Sequence, residues 1–224
     1  PGPLWSPGGE RGLYKSTDGG STWKKVLGGG EWTGVTDILI DPRNPDRLYA
    51  ATWQRHRTVA ALMGGGPESG LHRSEDGGKS WTALKSGLPG SNKGKIGIAI
   101  SPQKPDVVYA AIELERTKGG VFKSTDRGSS WKKMSDAVSS ATGPHYYQEL
   151  YTSPHHFDKL FVFTTIHNTV MQIGASVNMH GKSLHIRGSM MLQSCSYPSS
   201  TEFLFVPHPR NLRSMYFSHH TLLE

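Results

Sequence analysis

"STDGGSTW" at residues 16–23 reads at first as a turn: small polar residues, two glycines, then a tryptophan. It returns as "SEDGGKSW" at 74–81 and as "STDRGSSW" at 124–131, with Ser, Asp, Gly and Trp at the same offsets. A turn written three times in register is the module of an array. Before each copy lies an alternating run, "GLYKS" (12–16), "GLHRS" (70–74) or "GVFKS" (120–124), and after each comes "WKKV", "WTAL" or "WKKM". Alternation with period two is the pattern of a strand, so each box is the turn of a β-hairpin.

A second pair of strands repeats upstream. "VTDILIDPRNPDRLYAAT" (35–52) matches "IGIAISPQKPDVVYAAI" (96–112) and, more loosely, "YQELYTSPHHFDKLFVFTT" (147–165). Each is a strand, a proline-containing turn and a second strand rich in β-branched and aromatic residues. The prolines are expected in the connections, where a missing N–H costs no ladder hydrogen bond. The unit is therefore four antiparallel strands, A to D, with A–B joined by the Pro turn and C–D by the box. Asp18, Asp76 and Asp126 are spaced 58 and 50 residues apart. Four short strands in about 50 residues is the signature of a propeller blade.

The expected fold is all-β: a partial β-propeller of about three four-stranded antiparallel blades over residues 11–165. A leader segment, 1–10, precedes it and an atypical tail, 166–224, follows. Rings close with about four to eight blades, so the array reads as cut at both ends. A chain that starts at Pro1 without an initiator Met reads as a piece of a longer protein. An open ring exposes blade edges, and marginal stability with a tendency to associate is the expectation.

Composition narrows the function classes. The formal charge is +7, spread without a Lys/Arg block, which argues for solvated basic surface and against a nucleic-acid partner. No run approaches the ~18 apolar residues of a membrane span. The single cysteine, Cys195, excludes an internal disulfide framework and a multi-cysteine metal site. No phosphate loop, nucleophile elbow or His/Cys metal cluster is present, so no metal and no cofactor is expected.

Within the box each residue type has a structural task. The Ser (Ser16, Ser74, Ser124) and Asp (Asp18, Asp76, Asp126) side chains can bond the turn's own backbone. The Gly (Gly20, Gly78, Gly128) admits a backbone angle that a Cβ resists. The Trp (Trp23, Trp81, Trp131) is large enough to fill space between neighbouring blades. A catalytic role for the three Asp residues meets a geometric objection. Equivalent positions lie around a ring, whereas glycosidic hydrolysis needs two carboxylates within about 5–10 Å.

These boxes resemble the Asp-box, or BNR, repeat found in sialidases, xyloglucanase-type glycoside hydrolases, sortilin-type receptor propellers and a photosystem assembly factor. The runs "DPRNPDRLYAATWQRHRT" and "GGGPESGLHRSEDGGKSWTALKSGLPGSNKGKIGIAISP" are most similar to exported bacterial propellers of the glycosyl-hydrolase-like or sortilin-N-terminal-like kind. The resemblance covers about residues 11–165 and implies export to the periplasm or the cell exterior. It implies fold more than activity, because enzymes, receptors and scaffolds share the box. A sialidase-like arginine triad with a Tyr–Glu pair cannot be matched here residue by residue. A xyloglucanase-like pair of acids would have to come from Glu31, Glu68, Glu113 or Glu115, and nothing in the sequence selects two of them.

Blade topology puts the A–B and C–D turns on one face and the B–C and D–A loops on the other. Variable loops on a rigid scaffold are where function concentrates. The long B–C loop "WQRHRTVAALMGGGPES" (53–69) supplies Trp53, Arg55, His56, Arg57 and Glu68 as ligand-binding candidates. The D–A loops supply Trp32 and Tyr146, with Lys93, Lys95, His145 and Tyr147 beside them. Aromatic faces next to Arg and Glu suit a sugar ring or an anionic glycan. Bland readings stand beside these: Trp53 packs under its loop, Arg55 and Arg57 pair with Glu68, and one of the two tyrosines is core. The function expected is recognition of a glycan or protein ligand on the loop face, with the remaining blades of a parent protein as partners. The rivals are a glycoside hydrolase with acids partly outside this chain, and an assembly scaffold or receptor-like propeller.

After Thr165 the composition changes. The tail has no Asp and no Trp, three of the 27 glycines, six of the 11 histidines and five of the seven methionines. It reads as a diverged blade, a distinct extension, or sequence from a wrong frame or retained intron. Its histidines His167, His180, His185, His208, His219 and His220 have no metal-ligand spacing.

Overall fold

The computed structural model describes residues 2–90, 92–114, 118–136, 149–163 and 168–172, all within one compact unit spanning 1–178. Every regular element among them is a strand. The first blade contributes β1 (Leu13–Lys15) and β2 (Lys24–Leu27), a two-stranded sheet. The second contributes β3 (Thr33–Asp41) and β4 (Asn44–Gln54), and its long B–C loop carries the small hairpin β5 (His56–Arg57) and β6 (Leu62–Met63). The blade is completed by β7 (Gly70–Ser74) and β8 (Thr82–Leu84), in sheet order β3-β4-β7-β8. The third repeats this as β9 (Ile96–Ile100), β10 (Val108–Ile112), β11 (Gly120–Ser124) and β12 (Lys132–Ser135). The fourth holds β13 (Glu149–Thr152), β14 (Lys159–Phe163) and β15 (Asn168–Gln172). The chain is thus a partial β-propeller with antiparallel pairing throughout.

One proline differs from expectation. Pro45 lies inside β4 rather than in the connection, but the register jumps from Ile40↔Leu48 to Asp41↔Asn44, so its missing N–H falls in a bulge. Asn168–Gln172, in the segment read as an atypical tail, pairs with β14 as a C strand. The rest of the tail, with its histidines and Cys195, lies outside the described residues, as do Glu115, His145, Tyr146 and Tyr147.

The three boxes fold alike. Each Ser hydroxyl donates to its Asp carboxylate at 2.7 Å and accepts the N–H of Gly20, Gly78 or Gly128 at 2.7–2.8 Å. Each Asp in turn takes the N–H of Thr22, Ser80 or Ser130 at 2.8–2.9 Å. These donors hold the Asp18 carboxyl down at about 2, with the Thr22 hydroxyl the strongest. The Ser80 hydroxyl and N–H depress Asp76 further still. Gly20, Gly78 and Gly128 adopt φ of 95°, 84° and 83°, where a Cβ is disfavoured. All donors lie within the eight-residue box, so the turn is specified locally.

Apolar residues fill the gaps between blades. One core joins the second and third blades through Tyr49, Ala51, Leu71, Leu84, Ile98, Phe122 and Trp131. Another joins the third and fourth through Tyr109, Val121, Leu150, Leu160 and Val162. Burial follows whether a blade is covered on its preceding side. Trp131, facing the second blade, is 6% exposed, whereas Trp23 at the equivalent corner of the first hairpin is 53% exposed. Ile38 and Ile98 repeat the contrast at 43% and 2%, because the first blade supplies only β1 and β2 to cover β3. The Trp131 indole also donates to the Gly128 carbonyl at 3.0 Å.

Two substitutions should separate packing from turn formation. Trp131→Ala is expected to lower unfolding free energy by about 3–5 kcal/mol, the cost of emptying a buried aromatic site. Trp23→Ala should cost less than about 1 kcal/mol. Urea denaturation followed by far-UV circular dichroism distinguishes the two; equal losses would contradict the packing described.

Candidate functional site

The loop face gathers side chains from three separate segments. Trp32 stands in the D–A loop before β3, and its ring centroid lies 4.6 Å from that of His56 on β5. Both are partly buried, while Arg57 is exposed. The Arg11 guanidinium carbon sits 5.5 Å from the Trp32 centroid. Arg57 donates its N–H to the Leu4 carbonyl at 2.9 Å, so the leader segment joins the same surface. Trp32 and His56 are therefore brought together, while the Arg57 side chain turns to Trp5 in the leader segment.

Other candidates turn inward. Trp53 is 2% exposed and its indole donates to the Gly64 carbonyl at 2.7 Å, which places it under the loop. Arg55 is 7% exposed, with its guanidinium carbon 4.4 Å from the Trp53 ring centroid. Glu68 accepts the Gly30 N–H at 2.9 Å and the Thr33 hydroxyl. It ties the B–C loop to the D–A loop and so sets the relative position of Trp32 and His56.

A second cluster, absent from the sequence candidates, lies along the inner strands. Asp37, Gly97 and Glu149 are register equivalents on β3, β9 and β13, opposite Ala51, Ala111 and Phe163. Inner strands of successive blades neighbour one another. Asp37 accepts the Ile98 N–H at 3.0 Å, satisfying a donor on the open edge of β9. Burial pushes the Asp37 carboxyl up to about 6, and Glu149 adds to the rise; the Ile98 and Ile38 N–H bonds and Lys95 oppose it. Tyr151 donates to Glu149 at 3.0 Å, and burial followed by that bond pushes its hydroxyl up to about 12. Burial lowers the Lys95 ammonium, against the attraction of Glu149 and Asp37. Lys95 also bonds Glu113 through its backbone N–H, at 3.3 Å. A carboxyl that carries its proton to near pH 6 can donate a proton.

Comparison with known proteins agrees with the architecture. The family model Sortilin-Vps10, described as sortilin, neurotensin receptor 3, matches residues 11–156. The chain belongs to the Sortilin-Vps10 family. Among curated relatives, a probable oligoxyloglucan-reducing end-specific xyloglucanase of Neosartorya fischeri is 28% identical over 58% of this chain and 17% of its own length. A xyloglucanase of Hypocrea jecorina is 24% identical over 63% of this chain and 18% of its own. The chain thus spans less than a fifth of either relative. The solved GH74 xyloglucanase from Xanthomonas campestris is 18% identical, with a TM-score of 0.48 over 74% of this chain and 23% of that one. Among the described residues no group of His, Cys, Asp and Glu could hold a metal ion. No helix there is long and apolar enough to cross a membrane.

The raised Asp37 carboxyl has a sign that can be checked. In the unfolded chain Asp37 ionises near 3.8, and in the fold near 6, so the native state holds the proton longer. Its contribution to stability is present below pH ~4 and is lost as pH rises through ~6, by about 2–3 kcal/mol. Asp37→Asn keeps an acceptor for Ile98. It should raise the melting temperature at pH 7.5 but leave it near wild type at pH 4.5. A variant no more stable at pH 7.5 would contradict the burial assigned to Asp37.

Proposed function

We propose that this chain is part of an exported propeller that holds a polysaccharide on its loop face, in a protein of the glycoside hydrolase type. The observation that carries the reading is the meeting of Trp32 and His56, from two different loops. A stacked, partly open aromatic pair takes the apolar face of a sugar ring, and neighbouring polar groups take its hydroxyls. The names of the curated relatives, xyloglucanases, supply the ligand class. Trp53 and Arg55 form the floor of this face, and Glu68 braces its two loops.

Hydrolysis is the second reading, favoured by the Asp37 and Glu149 carboxyls on the inner strands either side of β9 and by the raised Asp37 pKa. In that reading Asp37 donates the proton to the leaving oxygen and Glu149 is the second carboxyl of the pair.

Isothermal titration of the full chain with xyloglucan oligosaccharides tests the binding reading. Trp32→Ala should weaken binding at least about tenfold, the range of one lost stacking platform, with little change in melting temperature. Unchanged affinity would remove Trp32 from the site. Reducing-end release from xyloglucan tests hydrolysis, and Asp37→Asn should abolish turnover while leaving binding intact.

A further inference from the structure

The leader segment was expected only to precede the first blade, yet its path is fixed. Arg11 is 1% exposed. Its guanidinium donates to the carbonyls of Gly8 and Ser6, both at 2.8 Å, and to that of Pro3. The Gly8 N–H donates to the Glu31 carbonyl at 2.8 Å. The Leu4 carbonyl accepts the Arg57 N–H. Residues on both sides of Trp5 are therefore anchored, while the Trp5 side chain itself is 60% exposed.

An exposed indole on a fixed backbone loses little conformational freedom when it is covered. One side of Trp5 is already occupied: the Arg57 guanidinium carbon stands 5.1 Å from its ring centroid. Across the β5–β6 ladder from Arg57 lies Leu62, 39% exposed, which extends the apolar surface. Among the described residues no carboxylate pairs with Arg57. The surface thus combines a flat apolar plate, a planar cation over one side of it and a chain of net charge +7. A neutral sugar would use the plate and leave the cation without a counter-charge.

We propose that Trp5 and Arg57 form a shelf for an acidic sugar, a hexuronate unit of a polysaccharide. The exposed indole rim and Leu62 take the apolar C–H surface of the pyranose, and the guanidinium over the indole pairs with the ring carboxylate on that same side through parallel N–H donors. The shelf rests on the polysaccharide reading above and adds a charge preference to it. Trp32 and His56 serve the neighbouring sugar units.

The test is titration of the full chain with an oligogalacturonate and with a neutral cello-oligosaccharide of equal length. Wild type should bind the uronate oligomer at least about tenfold more tightly, and the preference should shrink with added salt. Trp5→Ala should weaken uronate binding about tenfold or more. Arg57→Lys keeps the charge but not the paired donors, and should reduce the preference severalfold. Neither variant should alter neutral-oligomer binding, which depends on Trp32. Equal wild-type affinity for the two oligomers, or full uronate binding by Trp5→Ala, overturns the shelf and leaves the polysaccharide reading standing. Loss of all oligosaccharide binding by wild type overturns both. Binding of anionic phospholipid vesicles in place of uronate assigns the same surface to a membrane and also overturns the shelf.

Discussion

Adjacent blades are joined through one backbone carbonyl, that of the residue following the box aspartate. In the second blade it is Gly77, whose carbonyl accepts Lys15 of the first blade at 2.5 Å. In the third it is Arg127, whose carbonyl accepts Arg73 at 2.6 Å and the Tyr49 hydroxyl at 3.1 Å from the second. Both residues sit at positive φ, 69° and 60°, and both donate their own N–H to the carbonyl of Asp46 or Asp106 in the A–B turn. The box therefore does more than reverse the chain. It aims a carbonyl at the next blade and locks the C–D hairpin to the A–B turn. At the fourth blade an Asp158 carboxylate takes over, accepting Lys123 at 2.7 Å together with the Tyr109 hydroxyl. The donors are the same strand positions each time, so spacing between blades is held constant while the acceptor varies.

Charge reinforces this on the turn face. Arg43 bridges Asp41 in its own turn and Asp106 in the next blade, and Gln103, its equivalent one blade on, donates to the Ser153 carbonyl at 2.9 Å. Arg47 spans the buried Asp41 and Glu75. These bonds on the turn face hold blades together, and the opposite face is left free to vary. The long loop with β5 and β6 is the clearest use of that freedom. Its buried part, Trp53 and Arg55, gives it a core of its own, and this is why a seventeen-residue loop can present His56 and Arg57 in defined positions.

The inner strands set the other half of the chemistry. Open strand edges need partners for their N–H and C=O groups. Here side chains supply them: Asp37 caps Ile98, and the Thr152 hydroxyl donates to the Ile100 carbonyl at 2.8 Å. A carboxylate recruited for that purpose is carried out of water, and its proton affinity rises as a consequence. A structural requirement of the blade edge thus raises the proton affinity of Asp37.

The repeated boxes, the blade topology and the two faces were legible from the chain alone, because every hydrogen bond that shapes a box is made within eight residues and strand alternation is a local pattern. The candidate patch was legible in part. Trp32, His56 and Arg57 stood out as aromatic and basic residues in variable loops, but nothing local told Trp53, now buried, from Trp32, which remains partly open. Trp5 carried no signal, since its position depends on Arg11 gathering three carbonyls and on a β5 residue more than fifty positions away. Asp37 read as one polar residue in an alternating strand; its burial exists only once β9 lies beside β3. What sequence determined was the repeating local geometry, and what tertiary structure decided was which side chains neighbouring blades would desolvate, because desolvation comes from atoms distant along the chain.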